Sequence, residues 1–181
     1  SFGRRAFRYL QLTFRDIDAP LHLESVSVNS VGYPVEQVST FECSDENINR
    51  VWQAGLRTLS ACMQDCYESS PLNGRGKCAG DIRVQALTNY CSFLDSKLVA
   101  KTLAEMAHGE AEDGWFAGAR PPCADDMRSE TSLFWVIALH DYYLHVGDRT
   151  LVERLYPNMR LLMERCVDAR ESGNGLLVGD P

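Results

Sequence analysis

The chain has 181 residues, a hydrophobic content of 45% and a charged content of 24%, which are typical of a globular protein with a core of its own. Its net charge is -7 and no Lys/Arg-rich run stands out, so the composition argues against a nucleic-acid partner. No apolar run approaches the ~20 residues that a membrane-spanning helix needs, so we expect no membrane partner either.

The seven cysteines do not suggest a disulfide framework or a metal centre. Their number is odd and the chain is not a small secreted scaffold, which argues against a set of disulfides. Cys62 and Cys66 are four residues apart on one predicted helix face, but no CxxC or His-x-Cys cluster accompanies them. We therefore interpret the cysteines as buried thiols that behave as small hydrophobic residues, and we expect no metal and no cofactor.

Residues 6–38 carry the alternating pattern of β-strands. Leu10, Leu12 and Phe14 share one face of FRYLQLTF, and the turn DIDAP follows. LHLESVSV and VGYPVEQV are predicted to be further extended pieces. About three strands do not make a reliable sheet alone, so we expect them to be the last strands of a larger β domain that lies upstream. The absence of an initiator Met also favours a piece of a longer protein.

Beyond residue 40 the pattern is helical. Ser44 is a good N-cap, and the acidic residues after it favour the positive end of a helix dipole. Helices are predicted from this cap through Cys66, and then at about 82–94, 97–107, 130–146 and 150–171. The helix at 130–146 is apolar on most sides, and Pro157 is expected to kink or split the last helix. Successive helices without intervening strands favour helical hairpins.

A polar loop separates the first two predicted helices. The run CMQDCYESSPLNGRGKCAGDIRVQAL joins a helix end, a Pro/Gly-containing loop and a new helix start. Polar loops held by rigid helices are frequent positions for sites that bind or cleave sugars. This loop is therefore the first place to look for a functional site.

The order of several short pieces carries a family resemblance over nearly the whole chain. These are FRYLQLTF, YPV, F-x-CSD-x-x-IN-x-VW, CMQD-x-YE, GD-x-R-x-QAL, EDGWF, SLFW-x-x-AL-x-DYY and LYP. In this order they resemble bacterial α-L-rhamnosidases of glycoside hydrolase family 78. The resemblance implies a mainly α fold, a partial (α/α)6 barrel of the six-hairpin glycosidase type preceded by a few β-strands. Residues 1–40 would be the C-terminal strands of a β-sandwich domain, and residues 41–181 the N-terminal half of the catalytic barrel.

The resemblance also implies a reaction, the inverting hydrolysis of terminal α-L-rhamnosides in a rhamnose-containing carbohydrate substrate. One carboxyl group protonates the leaving oxygen while another activates water. Anchored on Pro71 and Gly80, the family motif aligns without gaps, and its terminal Asp is Asp81. Its first Asp, its Arg and its general-acid Glu fall on Ser69, Asn73 and Gly74. Glycine donates no proton, so the acid position is lost, and the resemblance places the general base in the later half of the barrel.

Five candidate site residues follow, each with a plainer alternative. Asp81 is predicted to bind sugar hydroxyls, although an Asp after Gly at a helix start is also an ordinary cap. Asp65 either lines the site or caps a helix end. Glu68 is either a substitute acid or a solvated loop carboxylate. Trp115 either stacks on sugar or anchors its Gly-flanked loop, and Glu130 is either a site-facing acid or a first-turn helix carboxylate.

Other prominent side chains have structural interpretations. Arg83 is predicted to form a structural ion pair. Trp52 and Trp135 lie inside apolar helices and are predicted to belong mainly to the core. His140 and His145 are expected at the surface or its boundary, with no metal partner.

Two functions from different classes stay open at the level of sequence. The first is a glycoside hydrolase of the α-L-rhamnosidase type, intact through a substitute acid or impaired by the loss at position 74. The second is a non-catalytic carbohydrate-binding or structural helical domain that keeps the fold without the chemistry. The run NGRG, residues 73–76, could also be a damaged copy of the motif.

Overall fold

A computed structural model describes residues 4–72, 79–108, 115 and 128–169. Within these residues the protein is mainly α, as the sequence predicted, and it forms five helices. They are α1 (Glu46–Cys62), α2 (Ala79–Ser92), α3 (Lys97–Ala107), α4 (Arg128–Val146) and α5 (Arg149–Asp168). Across the described part of the chain, no helix combines the length and apolar character that a membrane crossing requires. In the same residues no cluster of three His, Cys, Asp or Glu side chains is placed to hold a metal ion.

The first helix differs from its prediction at both ends. Its N-cap is Asp45 and not Ser44, because the Asp45 carboxylate accepts a hydrogen bond from the backbone N–H of Asn47 at 2.8 Å. Helix α1 ends at Cys62, and Met63 has an extended backbone. Met63 and Cys66, which were predicted to continue the helical stripe, are buried in the loop that follows. An apolar residue in a turn can keep helical spacing when the turn folds back onto the same core.

The strands predicted in residues 6–38 are the main correction. Residues 4–44 have extended or irregular backbone without strand pairing, and most of their side chains are exposed. The physical reason is that a strand exists only through its partners, and three short strands lack a second layer on which to bury their apolar faces. Bends at Asp16 and Ala19 do occur inside the predicted DIDAP turn, and Asp16 has a positive φ of 53°.

The extended segment is nevertheless attached to the helices. The Tyr33 N–H donates to the carbonyl of Met63 at 3.1 Å, and its hydroxyl donates to the Asp95 carboxylate at 3.2 Å. Further along, the N–H groups of Val38 and Ser39 donate to the carbonyl of Ser92 at the end of α2. These contacts fix the segment against the loop after α1 and the turn after α2.

The helices pack as two layers. Helix α2 contacts α4, and α3 contacts α5, so these helices are in contact with the next but one along the chain. Contacts between consecutive helices are made by α1 with α2, by α3 with α4 and by α4 with α5. Alternate helices therefore neighbour one another within a layer, and successive helices cross between layers. Only two residues, Gly147 and Asp148, connect α4 to α5, and Gly147 has a positive φ of 73°. A connection of this length forms a tight turn, so α5 folds back along α4. This is the arrangement of repeated helical hairpins that the sequence predicted.

The core lies between these layers. Its fully buried large side chains come from the loop after α1 and from α2 to α5: Trp135, Tyr67, Met63, Ile82, Leu98, Leu103, Leu139 and Leu162. Helix α4 is less completely buried than its apolar sequence suggested, since Ile137, Tyr143 and Leu144 are exposed. Helix α5 is not split at Pro157, which lies within one continuous helix on its exposed side.

The N-cap of α5 gives a testable dependence of stability on pH. The Tyr142 hydroxyl donates to Asp148 at 2.9 Å, and the N–H groups of Leu151 and Thr150 also donate to this carboxylate. These bonds lower the pKa of Asp148 below its ordinary value. A lowered pKa contributes stability above the pKa of the unfolded state, and this stability is lost as the pH falls through the folded one.

Asp148→Asn is therefore expected to reduce the acid sensitivity of the fold, because Asn can still cap the helix but does not titrate. The measurement is the urea midpoint of the wild type and the variant between pH 6 and pH 2.5. The wild-type midpoint should fall more than that of the variant over this range. Equal falls would show that the cap makes no pH-dependent contribution.

Candidate functional site

The loop after α1 is a compact turn that is tied to α2. The Glu68 N–H donates to the carbonyl of Cys62 at 2.9 Å, and Met63 pairs with Tyr67 in an isolated β-bridge. Tyr67 is fully buried, and its hydroxyl accepts a hydrogen bond from the Asn89 side chain at 2.7 Å. Burial raises the pKa of this phenol far above its ordinary value, so Tyr67 is neutral and acts as an anchor.

Glu68 lies at the inner side of this turn and is not a solvated carboxylate. The residue is 7% exposed, and its Oε2 accepts a hydrogen bond from the guanidinium of Arg4, with which it forms an ion pair. Its backbone carbonyl accepts a hydrogen bond from the Gln85 Nε2 at 2.9 Å. Both the side chain and the backbone of Glu68 are thus fixed, one by the N-terminal segment and the other by α2.

Asp81 and Glu68 act on the same thiol. Asp81 is exposed in the first turn of α2, where a carboxylate is also stabilised by the helix dipole. The pKa of the buried Cys62 is raised, first by burial and then by the negative charges of Glu68 and Asp81, while Arg4 opposes the rise. All three charges thus act on the Cys62 thiol, and two of them, Arg4 and Glu68, are in direct contact with each other. We call Arg4, Glu68 and Asp81 the charge cluster.

A depression of about 370 Å³ reaches Cys62, the residue on which the three charges act. It is lined by Ala54, Arg57, Thr58, Ala61, Cys62 and Pro71. Carboxylates and guanidinium groups beside a depression can hydrogen-bond several hydroxyl groups at once, since a carboxylate only accepts and a guanidinium only donates. The arrangement is chemically suited to a polyhydroxylated ligand.

The other predicted site residues differ in their surroundings. Asp65 projects a largely exposed side chain, and its carbonyl accepts a hydrogen bond from Lys101 on α3. Trp115 is 3% exposed and belongs to the core, which favours the anchoring interpretation because a stacking ring needs an open face. Glu130 lies in the first turn of α4, and its side chain falls outside the described residues, as do Asn73 and Gly74 entirely.

Two contacts near the site were not foreseen from the sequence. Gln85 stands one helical turn after Asp81, so its spacing could have placed it on the same face of α2. Nothing in the sequence connects Arg4 with Glu68, which is 64 positions away. Arg83, by contrast, forms the kind of ion pair predicted for it, with 2.8 Å between its Nε and the Oδ2 of Asp141 on α4.

Comparisons with known proteins agree with this fold. Residues 36–179 match a family described as the bacterial alpha-L-rhamnosidase 6 hairpin glycosidase domain. A rhamnosidase from Klebsiella oxytoca, solved with rhamnose bound, is 26% identical at a TM-score of 0.66, and the match covers 79% of this chain and 28% of that one. A family 78 rhamnosidase of Bacillus sp. GL1 has a similar fold, with 24% identity, a TM-score of 0.75 and coverage of 82% and 16%. No curated protein gives a significant match.

Proposed function

Because the chain belongs to the bacterial α-L-rhamnosidase six-hairpin glycosidase domain family, we propose that the full-length protein binds terminal α-L-rhamnosyl units beside the charge cluster. The chain spans only 28% and 16% of the two solved relatives, so the activity proposed is that of the longer protein to which these residues belong. The relative from Klebsiella oxytoca, described as having rhamnose bound, supports the choice of sugar.

The observation that carries the proposal is the largely buried Arg4–Glu68 ion pair, whose carboxylate acts together with Asp81 on Cys62, a residue that lines the depression. Asp81 is the one polar position of the family motif that this chain retains, and it is the exposed carboxylate of the cluster. Sugar recognition depends on charged groups that accept or donate hydrogen bonds in pairs. Asp81 therefore takes the role of a hydroxyl acceptor.

We further propose that this protein binds the sugar but hydrolyses it poorly. The motif position of the general acid is Gly74, which carries no proton to give. Glu68 is a poor substitute because its side chain is buried and its Oε2 is paired with Arg4. To reach a leaving oxygen, Glu68 would have to break this pair and leave the Arg4 guanidinium without its counter-ion. Of the two functions left open by the sequence, carbohydrate binding with impaired hydrolysis fits these contacts best.

The first test is Asp81→Ala in the full-length protein, with methyl α-L-rhamnoside as the ligand in titration calorimetry. A hydrogen bond to a charged group contributes ~1.5–3 kcal/mol, so the Kd should rise about 10- to 150-fold. Glu46→Ala is the matched control, since Glu46 is also an acidic residue in the first turn of a helix but lies at the opposite end of α1 from Cys62. An unchanged Kd in Asp81→Ala would remove Asp81 from the site.

A further inference from the structure

Arg4 stands apart from the rest of the site by its origin. It belongs to the extended segment before the helices and lies outside residues 36–179, which match the family. Its side chain nevertheless reaches Glu68, and the carboxylate that it meets is only 8% exposed. Arg4 and Glu68 are far apart in the sequence, so this ion pair forms only when the N-terminal segment is folded against the loop after α1.

The charges of the cluster explain why a cation is needed there. Glu68 and Asp81 both raise the pKa of the buried Cys62, so two negative charges act on one thiol, and one of them, on Glu68, is itself buried. Two negative charges at short range repel each other, and partial burial strengthens this repulsion because the local dielectric constant is lower. Arg4 is the positive group that acts on the same thiol in the opposite direction. Its guanidinium offsets the repulsion and presents a rigid fork of donors to a carboxylate.

We propose that Arg4 is a positioning residue of the sugar site, and that it holds the loop of residues 63–72 in the shape that lets Asp81 face the ligand. Among the described residues the loop is also attached to Gln85 and Asn89 on α2, to Tyr33 in the N-terminal segment and to Lys101 on α3. The Lys101 Nζ lies 4.0 Å from the Oδ2 of Asp65, but that carboxylate is on an 87% exposed side chain. Arg4 differs from these contacts because the loop carboxylate with which it pairs, that of Glu68, is buried.

This inference rests on the proposed function, because it assigns a role within the same site. Two consequences of this role can be measured. The first is ligand affinity, since Glu68 is hydrogen-bonded to Gln85, one helical turn after Asp81 on α2, and a loop that is no longer held weakens this link to the helix that carries Asp81. The second does not depend on any sugar. Cys62 is 4% exposed beneath the loop, and its thiol should become reachable when the loop loosens.

The experiment compares Arg4→Ala, Arg4→Lys and Arg8→Ala in the full-length protein. Arg8 is an exposed arginine of the same segment and serves as the matched control. Loss of one partner of a largely buried ion pair is strongly destabilising locally, so Arg4→Ala should raise the Kd for methyl α-L-rhamnoside by ~10-fold or more. The rate of Cys62 alkylation, followed by peptide mass spectrometry, should rise by a similar factor. Arg4→Lys should recover part of both losses, and Arg8→Ala should resemble the wild type.

The outcomes separate this inference from the proposed function. If the wild type binds the rhamnoside and Arg4→Ala binds it equally well, Arg4 is not a positioning residue. If Cys62 alkylation is unchanged in Arg4→Ala, the loop is held by other contacts and the inference is likewise overturned. If the wild type fails to bind the rhamnoside at all, the proposed sugar site is wrong and Arg4 cannot position it. A circular dichroism spectrum equal to that of the wild type verifies that each variant is folded.

Discussion

Gly74→Glu in the full-length protein is expected to raise the hydrolysis of alkyl α-L-rhamnosides by ~10²- to 10⁴-fold, the usual contribution of a positioned general acid. The resemblance to family 78 predicts that this position is the one that protonates the leaving oxygen, so the substitution should return a proton donor there. An alkoxide is a poor leaving group and depends on this proton. The gain should therefore be smaller for aryl rhamnosides, whose leaving group departs without help. The measurement is kcat/KM for the two substrate classes.

Gly74→Gln is the control for this prediction, because its side chain has the size and polarity of Glu but no transferable proton. It should leave hydrolysis at the level of the wild type. Adding Ser69→Asp and Asn73→Arg to Gly74→Glu should increase the rate further, since these restore the charged neighbours of the family motif. An equal gain in Gly74→Gln would attribute the effect to the shape of the loop and not to proton donation.

Trp135→Ala is expected to lower the free energy of unfolding by ~3–5 kcal/mol, the usual cost of truncating a buried tryptophan. Trp135 on α4 is fully buried in the core, and its Nε1 donates to the carbonyl of Leu103 on α3 at 2.9 Å. Its loss removes packing between the two layers and a hydrogen bond between their helices. The free energy of unfolding of a typical domain is only ~5–15 kcal/mol, so the variant should be close to unfolding at 37 °C.

Urea unfolding followed by circular dichroism measures this cost, since the signal does not depend on the tryptophan that is removed. Tyr143→Ala is the control on the same helix, where the side chain is 45% exposed. Substitutions at such positions usually change stability by ~0.5 kcal/mol or less. A similar loss in both variants would mean that the layer contact at Trp135 is not central to the fold.

The helices could be predicted because their apolar residues recur with a clear period. The prediction for α3, residues 97–107, agrees with Lys97–Ala107, since Leu98, Leu103 and Met106 define one face between polar ends. The end of α1 could not be placed, because Met63 and Cys66 keep the spacing although they lie in a turn. Periodicity reports which residues are buried, and it does not distinguish a helix from a turn folded onto the same core.

The strands predicted before residue 40 show that a sequence pattern alone does not determine strand pairing. Alternation in residues 6–38 marks side chains that would suit a half-buried sheet, but pairing is a property of neighbouring strands and not of one segment. In the described structure these residues form no paired strand and are mostly exposed, with apolar side chains such as Leu10, Phe14 and Val28 open to solvent. The local pattern marked candidate strands, and it could not supply their partners.

Only the local part of the candidate site could be predicted from the sequence. The roles of Asp81 as a retained position and of Gly74 as a missing acid stay predictions, made from residues close together in the sequence. The pairing of Glu68 with Arg4 could not be predicted, because two charges 64 positions apart meet only through the fold. The burial of Glu68 and Trp115 is also a tertiary property, although each lies in a polar or glycine-containing stretch.

The central claim is that the site binds a rhamnoside without efficiently cleaving it. Saturation-transfer NMR of methyl α-L-rhamnoside with the wild-type full-length protein tests both halves in one sample. We expect transfer of saturation to the sugar, with little growth of the anomeric signals of free L-rhamnose over hours. Release of L-rhamnose at the turnover of an ordinary enzyme, ~1–10³ s⁻¹, or the absence of any transfer, would contradict it.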